Sequence, residues 1–496
     1  MTSAIKLLKK LGRRKEHKSK KRSSSITLSA LSDVVFSQDL FKLVLEAADD
    51  KMANFRKSLP PSLNQFPHKL QIIQEDQSEQ DCVAPFQANE IVLGPMLGCG
   101  EFGNVYEVQS FNLQPDMDVS DAALEKRLRM KKCEKYRDTE NARYALKHIK
   151  ETYLLDNGPG MFVQAAGDLA QEAEFLANLK HPNIIKLRGL AMSGVSGYAN
   201  GPCGYFLIID RLFETLDQRI RRWHHPSIKD RIMHTSSTIS NSINPSIKSS
   251  KTRSVGGDEV VELSSGRGRD ELMDECLSVA LQLSAAMVYL HSHSVIFRDL
   301  KPANIGFDVR GDLKIFDFGL ARIVPEGDAY NDLYDMSGAG SPRYMAPECL
   351  RRGEYNLKAD VYTFAIVLWE ILTGETPYGF VANRDELYYH VVQEHDRPVI
   401  DKRWPSDIKG MLESSFDANP KKRPKMKLFY EIIQKTLVAL RGGDEKGLTN
   451  SDINRPRSIL SGKWSIGSLI SSKRLREGTE LDGTERRPER GRFILR

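Results

Sequence analysis

Phe297-Arg298-Asp299-Leu300-Lys301-Pro302-Ala303-Asn304, a short β-like passage and then Lys314-Ile315-Phe316-Asp317-Phe318-Gly319 form the stretch that decides how this chain is read. Two acids and an amide, Asp299, Asn304 and Asp317, fall on loops flanking the short strands expected at Ile305-Phe307 and Leu313-Phe316. Oxygen ligands on loops held by strands suit a hard cation such as Mg²⁺, which keeps part of its water shell and also binds phosphate. A further carboxylate beside such an ion can orient a hydroxyl for attack on phosphorus.

Upstream, Leu97-Gly98-Cys99-Gly100-Glu101-Phe102-Gly103-Asn104-Val105 gives G-x-G-x-x-G-x-V between two β-like runs. Glycines at these places let backbone amides approach phosphate oxygens without obstruction. A dinucleotide site would need a helix after the third glycine. Here the residues after Gly103 alternate and include β-branched side chains, so a hairpin fits better. Tyr144-Ala145-Leu146-Lys147-His148-Ile149 reads as a strand carrying one lysine. Residues 168–180 have helical spacing at Leu169, Leu176 and Leu179. Tyr205-Phe206-Leu207-Ile208-Ile209-Asp210-Arg211-Leu212 reads as a buried strand with a polar end, and residues 360–370 as a helix apolar on all sides.

Taken in order, these motifs resemble the eukaryotic protein kinases over about residues 91–438, most closely a serine/threonine kinase of the tyrosine-kinase-like group. The resemblance implies an α+β, bilobal protein-kinase fold: a small β-rich N-lobe (91–210) with one regulatory helix, and a larger, mostly helical C-lobe (211–438). It implies ATP and Mg²⁺ as cofactors and protein Ser/Thr hydroxyls as acceptors, with dual specificity left open. Carried over residue by residue, Gly98, Gly100 and Gly103 cover the phosphates, with Cys99 between them. Leu97, Val105 and Ala145 belong with Ile209, at the back of the adenine pocket, and with the backbone of Asp210 and Leu212 along the adenine edge. Lys147 grips the α- and β-phosphates. The glutamate that holds it sits nine residues before His181 in the family, which selects Glu172 over its rival Glu174. Asp299 orients the acceptor hydroxyl, Lys301 stabilises charge on the γ-phosphate, and Asp317 and Asn304 hold metal. Ser341 is expected against Asp299 and Lys301, and Glu348 against Arg423.

One position departs from the family. Phe297 stands where a histidine is usual, in the hydrophobic column with Leu176, Leu187 and Phe318. The expectation is reduced or more switchable activity, and the alternative is a pseudokinase scaffold that binds ATP without efficient transfer. Arg298, beside Asp299, suggests control by a phosphate on the activation loop. Ser337 is the expected site for an upstream activating kinase, with Tyr330 and Tyr334 as rivals.

The remainder of the 496 residues is tails and insertions. Residues 1–85 read as a basic, largely disordered arm and linker, with a helix or two between 29 and 49. Ten Lys or Arg against Glu16 give residues 1–22 a charge of +9, so the remainder of a chain at +6 is slightly acidic. That arm fits contact with polyanions, import machinery or an anionic membrane surface. Residues 111–141 read as a lengthened surface loop and 223–270 as a disordered, modifiable insertion. Residues 439–496 read as a polar, disordered tail. Six scattered cysteines follow no metal or disulfide spacing and favour a reducing compartment, the cytoplasm or nucleus. No run of 18 apolar residues appears, so no transmembrane helix is expected.

Overall fold

The computed structural model describes residues 26–28, 38–59, 83–114, 119–136, 141–224, 266–324, 327–336 and 339–442. The basic cluster of residues 1–22, Ser337, most of the 223–270 insertion and the tail after 442 lie outside them.

The N-lobe is built on a seven-stranded sheet in the order β1-β3-β4-β5-β7-β6-β2. Its strands are β1 (Ile26–Thr27), β2 (Ala84–Phe86), β3 (Ile91–Cys99), β4 (Gly103–Phe111), β5 (Tyr144–Ile149), β6 (Leu187–Ala191) and β7 (Phe206–Asp210). Every pairing is antiparallel except β2 with β6. The β3–β4 turn carries the glycines, and Gly100 N–H donates to Gly103 O across it at 2.8 Å. A Cβ on Gly103 would lie 2.9 Å from the His148 carbonyl, so the turn can fold down on β5 only with glycine there.

Three helices belong to this lobe: the regulatory helix, one where the sequence reading expected a helix or two, and one that it did not expect. They are α1 (Gln38–Ser58), α2 (Asp121–Lys132) and α3 (Tyr153–Asn178). Within residues 1–85 the helix expected between 29 and 49 is found as α1, which begins at Gln38 and reaches Ser58. The apolar stripe Val44, Ala48, Met52 and Phe55 runs on past residue 49, through what read as linker, and is buried against α3. Phe55 meets Phe175 edge-on with ring centres 4.7 Å apart. Lys51 pairs with Asp168, and Arg56 bonds Glu174 at 2.6 Å. Gly167 lies under Lys51, and a Cβ there would come 2.8 Å from the lysine's Cδ. The reading of 111–141 as a surface loop is corrected. Ser120 caps α2 by accepting from Ala123 N–H, and the buried Arg127 turns inward to pair with Glu90.

The C-lobe contains β8 (Glu214–Thr215), α4 (Leu216–His224), α5 (Gly266–Ser292), β9 (Val295–Ile296), β10 (Ile305–Phe307), β11 (Leu313–Ile315) and β12 (Arg322–Ile323). Helices α6 (Pro347–Leu350), α7 (Lys358–Thr373), α8 (Arg384–Tyr388), α9 (Ser406–Ser415) and α10 (Met426–Leu440) follow. The insertion is narrower than read at both ends, since α4 reaches His224 and α5 begins at Gly266. Helix α7 is buried from Lys358 through Leu372. Within α5, Asp270–Ser292 is long and apolar enough to cross a membrane by composition, yet 67% of that window is buried inside the protein. It is packed as a core helix. Arg423 and Glu348 bond twice, both at 2.7 Å, and Arg423 also donates to the Asp417 and Lys358 carbonyls. This satisfies a buried guanidinium that would be costly half-paired.

Truncating Arg56 leaves the Glu174 carboxylate buried without its cation. Arg56→Ala should lower stability by about 2 kcal/mol, read as a shift in the urea midpoint, and Glu174→Gln in the same chain should recover part of it. An unchanged midpoint would mean that α1 does not hold α3.

Candidate active site

A cavity of about 540 Å³ opens between the lobes, within the range usual for small-ligand sites. Every residue named from the sequence for nucleotide, metal or chemistry lines it. The roof is Leu97, Gly98, Cys99, Gly100, Gly103 and Val105, the back is Ala145 and Ile209, and the hinge side is Asp210 and Leu212. The floor carries Asp299, Lys301, Asn304 and Asp317. Arg211, between Asp210 and Leu212, pairs with Glu107 on β4 at 2.7 Å. Asp210 is held by Arg188 at 2.8 and 2.9 Å.

Lys147 reaches the cavity from the centre of β5. Its Nζ donates to Glu172 Oε2 at 2.7 Å and to Asp317 Oδ1 at 2.9 Å. Burial disfavours its ammonium, but the carboxylates of Asp317 and Glu172 outweigh that and raise its pKa. Burial likewise opposes the Asp317 carboxylate, and Lys147 with Lys301 reverses it and lowers the pKa. Burial raises Glu172 to about 7 against the pull of Lys147. Between the two candidate glutamates the geometry is clear. Glu172 faces Lys147, whereas Glu174 points to the other side of α3 and meets Arg56.

Asp299 is enclosed by donors. Ser341 gives Oδ1 its N–H at 2.8 Å and its Oγ–H at 2.7 Å, while Lys301 and Asn304 donate to Oδ2 at 2.8 and 2.9 Å. Lys301 also donates to Ser341 Oγ at 2.8 Å. Asn304 spends its amide N–H groups on Asp299, which leaves Oδ1 as an acceptor. With Asp317 Oδ2, that is an oxygen donor set suited to Mg²⁺.

The loop holding Asp299 is fixed from beneath by Asp360 on α7. Asp360 accepts from Phe297 N–H at 2.8 Å, Arg298 N–H at 3.0 Å and His291 Nε2–H at 3.1 Å. These bonds hold Arg298 at φ 72°, in the left-handed region. Phe297 is fully buried and meets Phe318 edge-on at 5.0 Å.

Phe102, at the tip of the glycine turn, was not singled out from the sequence. Its ring centre lies 5.3 Å from Lys147 Nζ. An aromatic side chain between the second and third glycines was the available signal. Asp168 and Gln164 on α3 also line the cavity, and nothing in their spacing marked them.

The family described as protein tyrosine and serine/threonine kinase matches residues 91–433. Among curated relatives, a serine/threonine-protein kinase of Arabidopsis thaliana, STY17, is 38% identical over 172 residues, 34% of this chain and 29% of that protein. A putative mitogen-activated protein kinase kinase kinase 7-like protein of Drosophila melanogaster is 37% identical over 163 residues, 31% of this chain and 40% of that protein. The dual specificity protein kinase shkB of Dictyostelium discoideum is 35% identical over 161 residues, 32% of this chain and 24% of that protein. The chain thus spans less than half the length of these relatives. With the family matched across more than two-thirds of its length and the cavity built from that family's motifs, the chain belongs to the protein tyrosine and serine/threonine kinase family.

Proposed function

We propose that this chain transfers the γ-phosphate of MgATP to serine or threonine hydroxyls of protein substrates. The observation that carries the reading is the convergence of Lys147, Glu172 and Asp317 on one face of the cavity with Asp299, Lys301 and Asn304 on the other. Lys147, oriented by Glu172, places a cation on phosphate oxygens. Asp317 and Asn304 hold Mg²⁺, which when bound neutralises charge on the phosphates. The Asp299 carboxylate accepts the proton of the incoming hydroxyl, and Lys301 compensates charge on the transferred group. The Lys301–Ser341 bond supports serine/threonine acceptors, since Ser341 closes the wall beside Asp299.

Activation-loop phosphorylation at Ser337 is part of the proposal. Arg322 lies near enough to Arg298 that, after burial, this second guanidinium is the main cause lowering its pKa. Two cations brought together at the base of the loop are suited to a phosphate. Of the tyrosine rivals, one is engaged otherwise. Tyr330 O–H donates to His291 Nδ1 at 3.0 Å, whereas Tyr334 pairs with Tyr355 through backbone alone and its hydroxyl has no hydrogen-bond partner among the described residues.

The test is transfer from labelled ATP by the full chain, with mixed Ser, Thr and Tyr peptides. Asp299→Asn should lower transfer by about 10²–10⁴-fold while leaving nucleotide binding in place. Binding without transfer by the wild type, even after treatment with activating kinases, would favour the scaffold alternative marked by Phe297.

A paired measurement separates the two glutamates. Glu172→Gln should cut kcat by about 100-fold through loss of the lysine's orientation, with the urea midpoint little changed. Glu174→Gln should do the reverse. Equal effects on kcat would remove Glu172 from its role.

A further inference from the structure

On the face of β5 opposite Lys147, three side chains outside the active-site cavity converge. His148 follows Lys147 on the strand, and the alternation of a strand sends its ring the other way. Glu151 stands in the turn entering α3, and Cys203 in the second of two 3₁₀ segments before β7, Pro202–Gly204. His148 is 0% and Cys203 2% exposed, while the Glu151 side chain reaches the surface at 24%. Their ligand atoms lie within 4.8 Å of one another. Cys203 Sγ is 3.5 Å from His148 Nδ1 and 3.9 Å from Glu151 Oε1, and His148 Nε2 is 3.8 Å from the same Oε1.

The hydrogen bonds of the imidazole decide which nitrogen is free. Nδ1 is 2.7 Å from the Ile149 carbonyl, which accepts only from an N–H, so Nδ1 carries the proton. That leaves a lone pair on Nε2, fully buried and without a hydrogen-bond partner among the described residues. Buried polar atoms are nearly always satisfied by protein, water or an ion. The separation from Glu151 is too long for a hydrogen bond. It is close to that of two ligands on one ion, since Zn–N and Zn–O bonds near 2.0–2.2 Å and a Zn–S bond near 2.3 Å hold tetrahedral ligands about 3.3–3.6 Å apart.

The surroundings match the outer partners of a metal site. A ligating histidine commonly donates its other N–H to a carbonyl, as Nδ1 does here. Asn104 Nδ2 donates to Glu151 Oε2 at 3.2 Å and orients the carboxylate toward the group. The Tyr106 ring stacks on His148 at 5.5 Å, with 5° between the planes. Charge balances too, because a neutral imidazole, a carboxylate and a thiolate offset one divalent ion in a buried place.

We propose that His148, Glu151 and Cys203 bind one divalent transition-metal ion of borderline softness, Zn²⁺ by the class of its ligands. The thiolate excludes Mg²⁺, which prefers oxygen alone, so this site is distinct from the one at Asn304 and Asp317. The bound ion ties the end of β5 to the entrance of α3 and to the segment leading into β7, bracing Lys147 from behind. Without the ion, Nε2 of the ring is unprotonated, since Nδ1 carries the proton, and a thiol ordinarily keeps its proton at neutral pH. Binding therefore replaces the Cys203 S–H bond by an S–metal bond and releases one proton per ion to solvent. Affinity rises with pH.

The full chain, stripped of metal and titrated with CoCl₂, tests this directly. One equivalent should give the near-ultraviolet thiolate-to-cobalt absorption and the visible bands of a tetrahedral ion, bleached by ZnCl₂ and untouched by MgCl₂. Cys203→Ser should abolish the thiolate band, and Glu151→Gln, at a partly exposed position that tolerates change, should weaken binding by about 10- to 100-fold. Cys133→Ser, whose thiol lies outside the group, should change nothing. Wild-type protein that shows no thiolate band overturns the proposal whatever the variants do. So does a band that persists in Cys203→Ser.

Discussion

One ammonium between the lobes sets the terms for the rest of this molecule. Lys147 is largely withdrawn from water at the centre of the N-lobe sheet, and such a charge is costly unless paired. Its two partners come from opposite directions, Glu172 from α3 and Asp317 from the loop after β11. Satisfying the lysine therefore fixes the distance between the lobes and the rotation of α3 together. The glycine turn can then settle over the cavity because Gly103 allows β4 to lie close on β5. The floor is fixed separately, by Asp360 holding the backbone of Phe297 and Arg298.

The catalytic floor, the glycine turn, the lysine strand and the hinge were legible because each is a local pattern. Their chemistry needs particular residue types at short, fixed spacing. Ranking Glu172 above Glu174 also followed from spacing, and the structure supplies the reason for the second acid. Glu174 serves the other face of α3, as the partner of Arg56. What stayed hidden was α2 and the half of α1 that runs past residue 49. Their inward faces carry cations whose partners lie far along the chain. Arg127 finds Glu90 across 37 residues, Lys51 finds Asp168 across 117, and Arg56 finds Glu174 across 118. A charged residue facing inward breaks the apolar period that marks a buried helix face, so α2 and the part of α1 past residue 49 read as polar. No local rule pairs charges at such separations.

The same long-range pairing makes α1 more than an appendage. Phe55 on α1 packs against Phe175 on α3, Phe175 lies 6.0 Å from Phe318, and Phe318 meets Phe297. Four rings thus run from the amino-terminal helix to the residue preceding Arg298, all of them buried. Aromatic packing of this kind is stiff, since each ring has two torsions and both are set by its neighbours. Phe297 has no polar side-chain atom with which to tie this end of the column to backbone. Phenylalanine ties it only by shape, so the position of Phe318 depends on the rings stacked above it. The terms that hold α3 against Lys147 therefore include α1, through its ion pairs at Asp168 and Glu174 and through the ring that closes the top of the column. Removing α1 would leave two carboxylates on α3 without their cations and would bare the face of Phe175. The lysine pair would then rest on an element that had lost its outer support.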